Sequence, residues 1–139
     1  MSVLSIAKQA RQAARNLAIL SGKDRERAIM AMPDKLSSIR DELKKANELD
    51  VRHAEESGLA APLVKRLHIS DNVFDYMLNR LREVAALPDP VGRVLEGHTR
   101  PNGLRVEKVS VPLGVIGIIY ESRPNVTTDA ASVCLKSGN

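Results

Sequence analysis

Aromatic side chains are nearly missing from this 139-residue chain, which has one Phe, two Tyr and no Trp. Any core must therefore be assembled from Leu, Ile, Val, Ala and Met, which points to helices packed through aliphatic seams. Cysteine is reduced to Cys134, so no internal disulfide can form, and a reducing, cytoplasmic compartment is expected. No stretch approaches the ~20 apolar residues that span a bilayer. Met1 to Lys8 also lacks the basic start and uninterrupted apolar core of a signal peptide. Blocks of one charge sign are absent as well. The formal net charge is +4, but acids and bases interleave, as in Asp24-Arg25-Glu26-Arg27. That is the pattern of a solvated helix face and argues against a nucleic-acid partner. His53, His68 and His98 are scattered without ligand spacing, so no metal site is expected. What remains, 43% hydrophobic and 27% charged, is the composition of a globular domain.

Helical periodicity dominates the first 87 residues. Val3, Ile6, Ala10, Ala13, Leu17 and Leu20 recur at spacings of three and four, predicting an amphipathic helix closed by Gly22. A second helix is predicted from an Asp24 cap, with Ile29, Met32, Leu36, Ile39, Leu43 and Ala46 on one face, and Pro33 either kinks or divides it. Helix continues to Ser57, ends at Gly58, and resumes for a short turn from Pro62 to Leu67. Ser70 and Asp71 then cap a helix with Val73, Met77, Leu81 and Val84 inward, stopped by Pro88-Asp89-Pro90. Each seam is too short for a coiled coil, so these helices are expected to pack on a sheet. From Val91 the pattern changes. Arg93 to His98 and Leu104 to Val111 flank Pro101-Asn102-Gly103, predicting a β-hairpin in which Gly103 takes positive φ. With few large apolar residues, that hairpin is expected to pack poorly and to serve as an arm.

The last 28 residues carry the chemistry. The apolar run Val115 to Tyr120 predicts a strand buried on both faces, emptying into the turn Glu121-Ser122-Arg123-Pro124-Asn125 at the start of a helix. In open α/β sheets ligands gather beyond the carboxyl ends of strands, so this turn is the candidate site. Asn125 has a carboxamide that donates two hydrogen bonds without titrating, which suits an oxyanion; a plain helix cap is its other reading. Arg123 and Lys136 are candidate phosphate contacts, and Glu121 a candidate partner for Arg123 or for a ribose hydroxyl. Gly114 and Gly117 do not make a Gly-x-Gly-x-x-Gly fingerprint and are expected to permit close backbone packing. Cys134, beside Val133 and Leu135 with nothing nearby to activate it, is read as structural. A buried strand needs neighbours on both edges. The chain is therefore expected to be the front part of a longer protein, inactive alone.

The string Val-Pro-Leu-Gly-Val-Ile-Gly-Ile-Ile-Tyr-Glu-Ser-Arg-Pro-Asn-Val-Thr, from Val111 to Thr127, together with Leu135-Lys-Ser-Gly-Asn139, resembles the γ-glutamyl phosphate reductases. These are also called glutamate-5-semialdehyde dehydrogenases and form part of the aldehyde dehydrogenase superfamily. Leu87-Pro-Asp-Pro-Val-Gly92 and Ala46-Asn-Glu-Leu-Asp50 extend the likeness upstream. The resemblance implies an α/β fold. Residues 1–90 would be the helical part of a cofactor-binding domain, 91–111 a β-hairpin arm used in homo-oligomers, and 112–139 the first strand-turn-helix of a parallel dinucleotide-binding sheet. It implies NADPH-dependent reduction of L-glutamate 5-phosphate to the semialdehyde in proline biosynthesis, through a cysteine thioester whose nucleophile lies beyond Asn139. Asn125 would be the oxyanion donor, with Glu121, Ser122, Arg123 and Pro124 lining the cofactor and substrate approach, although the turn differs from the superfamily's common Pro-Trp-Asn form. Association with glutamate 5-kinase is a further implied partnership, and a start directly before the first helix favours a stand-alone enzyme over a kinase fusion. The alternative from the residues alone is a non-catalytic helical interaction module.

Overall fold

The computed structural model describes residues 2–139. Six helices and one two-stranded antiparallel sheet follow in the order α1 (Val3–Leu17), α2 (Gly22–Ser38), α3 (Arg40–Glu56), α4 (Ala61–Leu67), α5 (Asp71–Ala86), β1 (Val94–Thr99), β2 (Arg105–Val109) and α6 (Pro124–Lys136). The core lies where α2, α5 and α6 meet. Ile29, Leu81, Val84 and Ala85 are buried there, with Met32, Leu36 and Leu135 against them. Phe74 and Met77 extend the buried face of α5. Phe74 also receives the Arg40 guanidinium at 4.7 Å from its ring centroid, an arrangement the ring quadrupole favours.

Local chemistry accounts for the helix boundaries. Ser21, rather than Asp24, caps α2: its Oγ accepts from the Asp24 N–H at 3.1 Å and donates to the Asp24 carboxylate at 2.6 Å. Gly22 thus opens α2 instead of closing α1, which ends at Leu17. Pro33 neither ends nor divides its helix but lies buried inside it; the break falls at Ile39, where φ −114° and ψ 18° leave the helical region. Ser70 caps α5 as expected, accepting from the Val73 N–H at 3.3 Å. Asn47 is buried at 5% exposure. Its amide donates to the Leu67 carbonyl at 2.9 Å while its oxygen accepts the Ile69 N–H at 2.7 Å, tying α3 to the α4–α5 link.

Two expectations about sheet structure are overturned. The helices pack on one another and not on a sheet, and α1 buries none of its residues. Residues 115–120 form no strand and are open to water, with Val115 49% and Ile119 103% exposed. The physical reason is the same for both: among the described residues no second strand pairs with this run, and a ladder needs a partner. Close packing does not explain its glycines either. A Cβ at Gly117 would meet open space, and so would one at Gly114, which is required instead by its φ of +114°.

The hairpin matches its sequence signature. Val94 pairs with Val109 and Thr99 with Arg105, a bulge falls between Val94 and Glu96, and Gly103 has φ +82°. Asn102 Oδ1 accepts the Leu104 N–H at 3.1 Å and closes the turn. Both strands are exposed throughout, so the ribbon stands away from the helices. No helix is long and apolar enough to cross a membrane among the described residues.

Candidate active-site turn

The five turn residues converge at the start of α6. Arg123 is the N-cap residue and Pro124 occupies the first turn, where its missing N–H costs nothing. Ser122 has φ +50°, the one positive value among non-glycine residues described. A serine in that region stores about 1 kcal/mol or more of strain, and such strain clusters at functional turns. Asn125 does not cap the helix. It lies inside the first turn, half-buried, and its Nδ2 donates to Asp129 Oδ2 at 3.1 Å, one helical turn on. Thr128 Oγ1 donates to the Asn125 carbonyl at 2.8 Å. The carboxamide is therefore oriented by its own helix while one amide hydrogen and the oxygen remain available. At the turn's other end the Tyr120 hydroxyl and Thr127 Oγ1 lie 2.6 Å apart.

Glu121 and Arg123 are both exposed and do not pair with each other. Lys136 does not reach the site at all. It is 6% exposed at the far end of α6, where its ammonium donates to the Ala85 carbonyl at 2.6 Å, so the phosphate reading of Lys136 is withdrawn. Beside it, Arg25 is 2% exposed. Its guanidinium donates to the Leu20 carbonyl at 2.6 Å and to both oxygens of Asp89 at 2.7 and 2.8 Å, and its Nε is buried without a partner. Burial pushes the Asp89 carboxyl up, but the Val91 N–H, the Arg25 hydrogen bonds and the charges of Arg25 and Lys136 outweigh it, and the group is held below its ordinary 3.8. This polar hub joins the start of α2, the ends of α5 and α6, and the root of the hairpin.

Two of the grooves that border residues 114–120 matter here. One, of about 350 Å³, is lined by Leu36, Leu43, Met77, Tyr120, Pro124 and Thr127 among others. The other, of about 530 Å³, lies between α1, Val115, Ile116 and the end of α6. Cys134 is half-buried on it, and no charged side chain lines that groove. Nothing there would activate a thiol.

Sequence reasoning missed Asp129 as the partner of Asn125, Thr127 as the partner of Tyr120, and Asn139 as the partner of Gly114. The four-residue spacing of Asn125 and Asp129 was a readable signal.

No family model matches the chain. Individual relatives do. The gamma-glutamyl phosphate reductase of Allorhizobium ampelinum is 49% identical over 137 residues, 99% of this chain and 32% of that one. The crystal structure of gamma-glutamyl phosphate reductase from Thermotoga maritima superposes with a TM-score of 0.94 at 43% identity, covering 98% of this chain and 33% of that one. The Saccharomyces cerevisiae enzyme gives 0.93 at 37%, covering 100% and 36%. The helices, the exposed hairpin and the turn at the start of α6 are thus a shared scaffold, spanning about a third of the length of each relative. The chain is homologous, over essentially its whole length, to about a third of each of these gamma-glutamyl phosphate reductases.

Proposed function

We propose that this polypeptide supplies the oxyanion-donating turn of an enzyme that reduces L-glutamate 5-phosphate to L-glutamate 5-semialdehyde and phosphate in proline biosynthesis. The observation that carries the reading is 37–49% identity over essentially the whole chain to proteins of that name. In the reaction a cysteine thiolate from outside residues 1–139 attacks the acyl carbon, phosphate leaves, and a thioester forms. NADPH, when bound, supplies the hydride that reduces it. The resulting thiohemiacetal collapses to the aldehyde and returns the thiolate.

Negative charge builds on the carbonyl oxygen at each addition. Asn125 is the residue we assign to that oxygen. Its carboxamide stays neutral at every working pH, and its bond to Asp129 fixes the amide plane in advance, so little reorganisation accompanies reaction. Glu121, Ser122, Arg123 and Pro124 we assign to the cofactor and substrate approach. The residues present fit one edge of an anionic dinucleotide, because the exposed Arg123 stands beside a helix start with no side-chain cap. The domain roles of residues 1–90, 91–111 and 112–139 follow the same reading, as do a cytoplasmic location, homo-oligomerisation through the exposed hairpin, and delivery of the labile acyl phosphate by glutamate 5-kinase.

The test is Asn125→Ala in the complete enzyme. The expected result is a kcat lowered about 10²–10³-fold with KM little changed. An unchanged kcat would remove Asn125 from the chemistry.

A further inference from the structure

We infer that Asn139 is a positioning residue for the turn beside Asn125, acting as a latch that ties the start of the run to the end of α6. This rests on the oxyanion role assigned above. Among the described residues no hydrogen bond joins the backbone of residues 115–121 to any other group. Its hydrogen-bonded anchors to the α6 region are therefore at its two ends. At one end Tyr120 meets Thr127. At the other, Asn139 Oδ1 accepts the Gly114 N–H at 2.8 Å, while its Nδ2 donates to Ser137 Oγ at 2.8 Å and to the Ser137 carbonyl at 3.3 Å.

The geometry around the latch is closely set. Gly114 presents its N–H only because it adopts φ +114°. Gly138, at φ +76°, lets the chain turn off the end of α6 so that Asn139 can reach back; a Cβ there would come within 2.9 Å of Pro112 Cγ. Pro112 and Gly114 on one side and Gly138 and Asn139 on the other thus form one interlocked corner. Asn125 lies in the first turn of α6 and Asn139 just past its end, with about 16 Å of helix rise between Asn125 and Lys136. Because α6 is rigid, fixing its far end to the start of the run fixes how the run delivers the turn back to Asn125. Without the corner, one end of the unit is free and the turn is located by Tyr120 alone.

The experiment uses this chain with Asn139→Ala and Asn139→Asp, the second of which keeps an oxygen for the Gly114 N–H. In the parent chain the Gly114 amide should exchange more slowly than its neighbours at 115–119, and the Asn125 side-chain amide should give a distinct resonance. Asn139→Ala should remove roughly 2- to 12-fold of the Gly114 protection and shift the backbone amide resonances of Glu121 to Arg123, while the Asn125 side-chain signal, held by Asp129, stays in place. Asn139→Asp should restore both. Equal exchange at Gly114 and 115–119 in the parent chain, or Glu121 to Arg123 amide signals indifferent to Asn139→Ala, would overturn the inference.

The functional arm uses a chimera in which residues 1–139 replace the matching third of the Thermotoga maritima enzyme. Asn139→Ala should lower kcat about tenfold without raising KM and add nothing in an Asn125→Ala background. A full additional loss in that background would show independent action and refute the latch. A silent Asn125→Ala would instead sink the oxyanion reading, while the Gly114 exchange result would still judge the latch itself.

Discussion

Replacing Asp89 by alanine isolates the polar hub that joins α2, α5, α6 and the hairpin root. The Arg25 side chain is 3% exposed and Asp89 37%, so the substitution strands a buried guanidinium whose Nε already lacks a partner. Removing one member of a buried ion pair costs about 3–5 kcal/mol. Water reaches the exposed third of Asp89 and screens part of that, which places the expected loss near 2–3 kcal/mol. Arg25→Met behaves differently, because it removes the buried cation and the orphaned Nε and leaves Asp89 free to be hydrated. Its cost should stay within about 1 kcal/mol, and the double variant Arg25→Met/Asp89→Ala should be more stable than Asp89→Ala alone. Urea unfolding followed by circular dichroism measures all three. The same group makes a pH prediction. Its folded pKa is depressed below 3.8, so its contribution is complete above about pH 5, and it declines as pH falls below 4 through the lowered folded value. Asp89→Ala should flatten that acid limb. An Asp89→Ala loss below about 0.5 kcal/mol, or a double variant less stable than the sum of the singles, would refute the account of the hub.

Gly138→Ala should destabilise the chain by about 1–2 kcal/mol, since alanine at φ +76° is strained and its Cβ would press on Pro112; thermal unfolding reads this directly. Ser122→Gly, by contrast, should raise stability by about 1 kcal/mol as it relieves the positive φ. In the complete enzyme it should lower kcat by loosening the turn, so a variant both more stable and equally active would show that the strain has no role. Ile119 is fully exposed. Ile119→Lys should therefore reduce self-association of this chain in light scattering while leaving the urea midpoint unchanged, because an unpaired apolar run is a template for edge pairing.

The helices were readable because their signals are local. Ser70 in front of α5, Gly58 after α3 and the Pro101-Asn102-Gly103 turn each act within four residues of themselves. Errors arose where two local signals competed. Asp24 and Ser21 are both good caps, and the hydroxyl of Ser21 wins by engaging Asp24 itself. Pro33 carried the strongest break signal, yet its burial between helices holds it inside α2, while Ile39, with no sequence mark, is where the chain turns. In α5, Met77, Leu81 and Val84 are buried as the pattern predicts, and only the first position moves, from Val73 to Phe74, because neighbouring apolar residues compete for it. The hub was beyond reach: Arg25 and Asp89 are 64 residues apart, and Lys136 is 51 from Ala85. The position of Asn125 at a helix start was legible, but its orientation was not, since that depends on Asp129 and not on a cap.

The largest sequence error, the buried strand at 115–120, separates what this chain organises for itself from what it only presents. α2, α5 and α6 bury their own faces and share the hub. The apolar side of α1, the run from Leu113 to Tyr120 and both hairpin strands remain exposed. Monomers rarely leave contiguous apolar surface of more than a few hundred Å² uncovered, and the matched relatives carry about twice as much further polypeptide. A candidate-site turn placed at the boundary between these two regions can be oriented before further polypeptide covers it, provided its orientation comes from the self-sufficient side. Asn125 meets that condition: its side-chain amide donates to Asp129 and its main-chain carbonyl accepts from Thr128, on the helix whose other end is clamped to Ala85 and Gly114 through Lys136 and Asn139. The carboxamide is therefore set by α6, and the exposed run has only to be held beside it.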